Sequence, residues 1–455
     1  MAAPRVIVAG AGLSGLACAF DLVRGGAEVV VLEAGERAGG VVATIERDGF
    51  RFETGPNTVQ ASSESFRRLC GDLGVAERLI SSSPAAEERF LFVRGRLRRL
   101  PVTPAAFLGS GVLSVGGRLR VCSEVLRRWK PRPPGVEEPD LEAFFLERFG
   151  SEATSVLAGA FVRGEYAAEL RDLGAKSAFP RMWKACEEHG GLVRGLRAAS
   201  RRTRPVLPGP EAPPTALLSF QRGLREVVDA LVTALGSRVR TRTPLASVDR
   251  RAGAWIARTA AGESIEAHHL VLAVAAPVAA KILAPAAAGQ IPIEHLTGIR
   301  HASVTLVHLG LDASEIRRPP PGFGYLVPPQ PDDRPVDPSR KEPRALGTIF
   351  VSNLFPGRAP AGCVAMSSFY RSSEVQGLDE KGLVELACED LSRAVEPAAE
   401  AIGKGRPPRA RTSIVQRWTD VIPRYAPGHA DRMVELARSV SERLPGIHLS
   451  GSYVA

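Results

Sequence analysis

VIVAGAGLSG, residues 6–15, sets three glycines behind a short β-branched run, and the reading of this stretch decides the fold. PRVIVAG predicts a buried strand. LSGLACAFDLVRGG continues as a helix, with Leu16, Ala19, Phe20 and Val23 at helical spacing on one face and Gly25 and Gly26 stopping it. EVVVLEA (28–34) predicts the next strand, so the unit runs strand, turn, helix, strand. Gly10 permits the tight turn, Gly12 lets backbone approach a pyrophosphate, and Gly15 lets helix pack close on strand, while the helix N-terminus faces the phosphate charge. Glu33 stands 18 residues past Gly15, at the end of the second strand, where a carboxylate accepts from a ribose hydroxyl. The pattern predicts a dinucleotide site and leaves nicotinamide and flavin both open.

The chain has 455 residues, enough for roughly two to four domains and a large core. A composition 44% hydrophobic and 24% charged excludes a disordered or fibrous protein. Net charge is +10, from 59 Lys and Arg against 49 Asp and Glu. Such an excess suits anionic lipid, nucleic acid or a polycarboxylate substrate, or reflects an arginine-preferring genome. The arginines are scattered and no nucleic-acid module is present, which leaves nucleic acid the weakest of these partners. Six cysteines lie far apart, never in a CxxC or with His at ligand spacing, so no metal and no disulfide framework is expected. The N-terminal apolar run Val6–Ala9 enters glycines instead of a cleavage site. The longest apolar run, LVLAVAAPVAA (270–280), falls far short of the ~20 residues that span a bilayer. These features predict a cytoplasmic chain in a reducing compartment.

The stretch EAGERAGG (33–40) leads into VVATIERDGFRFETGPNTV. An acidic strand end, Arg37, the Gly39–Gly40 pair and a hairpin ending in GPN together resemble the flavin-dependent amine oxidase superfamily. SFQRGLREVVDALVTAL (219–235), VRTRTPLASV (239–248) and the strand LVLAVAAP (270–277) resemble the returning half of its FAD domain. Within that superfamily, five further segments in order resemble the protoporphyrinogen oxidase family: RFLFVRGRLRRLPVTP (89–104), GEYAAELRDLGAKSAFP (164–180), GFGYLVP (322–328), LGTIFVSNLFPGRAPAG (346–362) and RWTDVIPRYAPGHADRM (417–433).

The resemblance implies an α/β fold, with a Rossmann-like FAD-binding domain of the amine-oxidase (GR2) type interwoven with an antiparallel-sheet substrate domain and a helical membrane-associating domain. The FAD domain would take residues 1–83, 216–290 and 405–455. The helical region would take 84–205, followed by the linker VLPGPEAPP, and the substrate domain 291–404, with strands such as SVTLVHLGL and GCVAMSSFY. By the same resemblance Gly10, Ala11, Gly12, Leu13, Ser14, Gly15, Glu33, Ala34, Arg37, Gly39, Gly40, Val41, Gly55, Pro56, Asn57 and Thr58 contact FAD. Leu245 falls where the adenine is gripped, and Trp418 near the flavin. Arg89 would pair with a tetrapyrrole propionate, a task suited to a planar guanidinium fork. Phe323, Leu326 and Phe369 would sandwich the pyrrole rings; by composition alone they are ordinary core residues.

The implied chemistry removes hydride equivalents from a porphyrinogen to the flavin, with dioxygen as acceptor and no acid-base residue named. The resemblance also implies a homodimer and peripheral contact with the inner face of the cell membrane. GLVRGLRAASRRTR (191–204) and RLRRLPVTPAAFLGSGVL (96–113) mix Arg with Leu, Val and Phe, a pattern that suits an anionic surface or a solvated basic face.

Several positions depart from the family. Ala168 stands where relatives carry glycine, Glu165 at a usually apolar position, and Arg371–Ser372 in place of a Gly-Gly after Phe369. A buried unpaired charge at such places is costly. The family continues past GIHLSGSYVA (446–455) with a glycine-rich turn and a final helix, and this chain stops at Ala455, which predicts truncation or an incomplete flavin cradle. Alternatives to protoporphyrinogen are coproporphyrinogen, permitted by the arginines at 94–99 and 118–132; another amine-oxidase-type flavoenzyme such as a carotenoid desaturase or polyamine oxidase; and a degenerate non-catalytic flavin-fold protein.

Overall fold

A computed structural model of the chain describes residues 3–127, 129, 135–199, 209–211, 213, 215–251, 253–316, 321–329, 342–395 and 407–454. The opening unit forms as its glycine spacing predicts: strand β1 (Arg5–Ala9), helix α1 (Leu13–Arg24) and strand β2 (Glu28–Leu32). Gly10 takes φ +98°, and a Cβ there would collide with the Ala273 carbonyl. Helix α1 buries Leu16, Ala19 and Phe20, with Val23 at the margin of the same cluster.

The parallel sheet runs in the order Val239–Arg240, β2, β1, His269–Leu272, Ile447–Leu449. Alternation along β1 explains why the sheet is covered twice. Val6 and Val8 pack beneath α1 and helix Arg225–Leu235. Ile7 and Ala9 face the opposite cluster, with helices Ala276–Ala287 and His429–Arg443 and a three-stranded antiparallel sheet spanning 245–267.

A hairpin, β3 (Thr44–Arg47) and β4 (Phe50–Glu53), leaves this unit and packs against a second sheet. That sheet has seven strands in the order Thr412–Pro423, His301–Asp312, Cys363–Arg371, Gly347–Ile349, Gly324–Leu326, Arg89–Val93, Arg96–Arg99. All neighbours are antiparallel except Gly324–Leu326 with Arg89–Val93, which is parallel. Helix Glu380–Ala394 covers the face bearing Tyr325, Tyr370 and Met366.

The mixed α/β architecture is as expected, with three adjustments. Two strands of the large sheet, Arg89–Val93 and Arg96–Arg99, lie inside the region 84–205 expected to be helical; arginines crowd both short strands, while Leu91, Phe92 and Val93 are buried in succession. Thr412–Pro423 is that sheet's edge strand, whereas 405–455 was assigned to the FAD domain. The strand expected over 270–277 ends at Leu272, and Pro277 sits in the first turn of helix Ala276–Ala287, where its missing N–H costs nothing. Within 84–205, helices such as Leu141–Phe149, Ala160–Tyr166 and Pro180–His189 surround Trp183 and Leu141. Parts of the linker 206–214, of the basic stretch 191–204 and of the arginine-rich 118–132 lie outside the described residues. Among the described residues no helix is long and apolar enough to cross a membrane. All six cysteines are free, and among the described residues no cluster of three or more His, Cys, Asp or Glu is placed to hold a metal.

Candidate active site

The glycine turn and the Gly39–Gly40 pair meet directly. Gly39 N–H donates to the Ala11 carbonyl at 2.7 Å, Gly12 and Gly39 form a β-bridge, and Arg37 Nη2 donates to the Gly40 carbonyl at 3.1 Å. Gly15 packs so near β1 that an added Cβ would collide with the Gly10 carbonyl, whereas a Cβ at Gly12 has nothing within 4 Å. The Glu33 carboxylate accepts from Ala11 N–H and from Gly35 N–H, both at 2.7 Å, which fixes it at the mouth of the turn beside exposed Ala34. The Glu33 main chain pairs with Arg240 and Thr243, bringing half-buried Leu245 to the same rim. Leu13 and Ser14 open α1, whose first turn carries no acidic residue and no capping side chain. Its leading amides are thus left for an anion.

The hairpin delivers the second part of the site. Beyond β4, Gly55 lies so close to Val41 that an added Cβ would collide with the Val41 carbonyl. Asn57 Nδ2 donates to the Gly55 carbonyl at 3.3 Å, while its Oδ1 is buried without a partner, between Pro56 and Thr58. Trp418 Nε1 donates to the Thr54 carbonyl at 2.5 Å, tying the turn to the large sheet.

Register on that sheet brings Arg89, Leu326 and Phe369 to one face, while Phe323, just before its strand, packs with Leu354 and Phe355. Directly paired residues point the same way, so Trp418 lies beside Val304 and Arg371, and Phe369 beside Leu306, Gly347, Leu326 and Leu91. Arg89 pairs with Gly324, two residues from Leu326, and its Cζ stands 5.4 Å from the centre of the Phe323 ring, a cation–π geometry. Phe323, Leu326 and Phe369 are all half-buried, unlike the fully buried Tyr325 and Tyr370 of the opposite face. Arg89 is exposed.

The departures from the family pattern fall around this face. Gly164, on helix Ala160–Tyr166, packs against Leu326, and Ala167 clusters with Leu346 and Phe369. Ala168 is fully buried. Arg371 is not a bare buried charge: Nη2 reaches Glu169 at 2.5 Å and Nη1 reaches Glu374 at 3.2 Å, and Arg163 bridges the same two carboxylates at 3.4 and 3.6 Å. Glu165 is exposed to solvent yet crowded by protein, and this partial burial raises its carboxyl above the usual range, with Arg89 pulling it back.

Two residue pairs escaped the reading of the sequence. Glu53 and Arg358, both buried, face each other at 3.6 Å. Glu53 also accepts from Thr44 Oγ1 and Leu224 N–H, and Arg358 Nη2 donates to Ser219 Oγ and the Phe220 carbonyl. Burial pushes the carboxyl up and the guanidinium down. The pair locks β4 to its neighbours one residue before Thr54. His308 Nδ1 lies 2.7 Å from Ser367 Oγ, with its ring stacked on Phe52 at 5.0 Å. The signal for the first pair was an acidic residue closing an apolar strand, FRFE; the second had none.

An uncapped helix N-terminus, clear space at Gly12, a carboxylate at the end of β2 and an unpartnered buried Asn57 oxygen all fit a flavin dinucleotide. The fold and this cradle define a flavin-dependent oxidoreductase. The sequence profile of the flavin containing amine oxidoreductases matches residues 13–455; the chain belongs to that family, and FAD is its cofactor. It is 30% identical over 475 residues to the chloroplastic protoporphyrinogen oxidase of Nicotiana tabacum, spanning 99% of this chain and 81% of that one. The coproporphyrinogen III oxidase of Bacillus subtilis (strain 168) is 23% identical over 470 residues, 98% and 93% of the two chains. A crystal structure of a candidate protoporphyrinogen oxidase from Exiguobacterium sp. 255-15 superposes with a TM-score of 0.79 at 22% identity, covering 100% and 96%. At that identity the likeness is one of fold.

Proposed function

We propose that this protein oxidises protoporphyrinogen IX to protoporphyrin IX in haem biosynthesis, with dioxygen as the acceptor. The observation that carries the reading is the single sheet face on which Trp418, Phe369, Leu326 and Arg89 stand together beside the Gly55–Asn57 turn. A flat, half-buried apolar wall suits a tetrapyrrole, and Arg89, backed by the Phe323 ring, suits one of its carboxylates. FAD, when bound, supplies the acceptance of hydride equivalents. The residues of this chain do the rest: the wall orients the macrocycle, Arg89 anchors its edge, and the apolar side chains keep water away.

The family resemblance and the names of the relatives support a porphyrinogen. A second reading, oxidation of coproporphyrinogen III to coproporphyrin III, is supported by the Bacillus relative. We also propose a cytoplasmic chain docking peripherally on a membrane through its 84–205 region. There Val102, Leu108, Val115, Leu119 and Leu126 are exposed among arginines. The test is porphyrin fluorescence appearing from protoporphyrinogen under air, with FAD bound to the purified chain. Flavin-loaded protein that forms no porphyrin would sink the reading.

A further inference from the structure

The charges around the substrate face are unevenly committed. Arg371 and Arg163 are held between Glu169 and Glu374, so these four side chains neutralise one another. The Arg98 guanidinium is wedged against Gly111, beneath the 103–113 segment, and is taken up by packing. Arg89 and Glu165 differ: among the described residues neither side chain closes a hydrogen bond or contact ion pair, yet the Arg89 charge is felt at the Glu165 carboxyl. Helix Ala160–Tyr166 and the sheet meet at Gly164 and Leu326, which sets Glu165 one residue from that contact. Arg89 lies on the strand adjoining Leu326. A cation and an anion therefore stand on adjoining elements at this face without meeting.

We infer that Glu165 is a specificity residue, an anion that admits the carboxylate taken by Arg89 and repels further ones, so that the site selects the dicarboxylate protoporphyrinogen over the tetracarboxylate coproporphyrinogen. The inference rests on the proposed porphyrinogen oxidation and deepens it. Arg89 offers one positive charge to a first propionate. A macrocycle carrying additional propionates must bring one of them near Glu165, and like charges set side by side in a partly buried site are strongly disfavoured. A neutral or apolar side chain at 165 removes that obstacle.

The experiment compares kcat/KM for the two porphyrinogens in the wild type, Glu165→Gln and Glu165→Val, each loaded with FAD. Wild type is expected to prefer protoporphyrinogen, and both variants to shift the ratio towards coproporphyrinogen by on the order of tenfold. The wild type carries its own second readout. The carboxyl of Glu165 is raised by burial, with Arg89 pulling it back, and Tyr166 and Tyr425, both pushed up, stay neutral. As pH falls Glu165 therefore takes up its proton ahead of an ordinary carboxylate, and over that range the coproporphyrinogen share of turnover should rise in wild type and stay flat in Glu165→Gln. A ratio unchanged by both substitutions and by pH overturns the inference while leaving the functional reading intact. A wild type that makes porphyrin from neither substrate overturns both.

Discussion

Trp418 reaches across from the edge of the large sheet to donate its indole N–H to the Thr54 carbonyl at 2.5 Å, the residue just before the Gly55–Asn57 turn. A half-buried hydrogen bond of this kind contributes about 1 kcal/mol. Trp418→Phe keeps the ring and removes the donor. Flavin should dissociate roughly five times faster from the variant, by the rate constant equivalent of that energy. Stopped-flow flavin fluorescence reads this directly, and an unchanged rate would show that the turn is held without the indole.

Gly12 and Gly15 lie three positions apart and predict opposite outcomes. Gly15→Ala forces a Cβ against the Gly10 carbonyl and should lower stability by about 2 kcal/mol or more through overpacking. Gly12→Ala meets no protein atom within 4 Å, so its melting temperature without flavin should match wild type, while flavin affinity falls at least tenfold. Equal flavin affinity in Gly12→Ala and wild type would mean that the pyrophosphate lies elsewhere.

Burial pushes His308 down to about 3 from an ordinary value near 6.5. The depressed value fixes the sign: the unfolded chain takes up the proton first. Stability is full above the unfolded value and is lost as pH falls through the window from about 6.5 to about 3, by up to about 1.4 kcal/mol per pH unit. Urea melts from pH 7 to 4 should show that slope in wild type and a shallower one in His308→Gln. Parallel slopes would place the acid sensitivity on other groups.

The helices and loops over 102–126 expose five large apolar side chains among arginines. Vesicles containing an anionic phospholipid should sediment with the protein at low salt. Neutral vesicles should retain much less, and raising the salt should release it. Binding indifferent to lipid charge would refute the electrostatic part of the proposal.

The nucleotide-binding unit was legible because its glycines fall at a fixed spacing between one strand and one helix, and because apolar spacing in α1 and β1 is periodic. The strands Arg89–Val93 and Arg96–Arg99 were hidden because they are short, crowded with arginine and without alternation in burial. Glu53 with Arg358 and His308 with Ser367 could not be read as pairs, since each joins segments far apart in sequence and the FRFE strand end marks Glu53 alone. Arg371 looked like an intruding charge until Glu169, 202 residues away, was found against it. Residues that answer to the backbone announce themselves; residues that answer to a distant partner do not.

The parallel sheet closes across the whole chain: the Arg5 N–H meets His268 Nδ1 over 263 residues, and Ile447–Leu449 completes the far edge. Ribosomes add roughly 5–20 residues per second, so the open side of β1 waits on the order of tens of seconds for its neighbour. During that interval Val6, Ile7 and Val8 form an unpaired β-branched edge, the kind that captures other nascent chains. The first strand of this protein therefore depends during synthesis on being shielded until its neighbour His269–Leu272 is made.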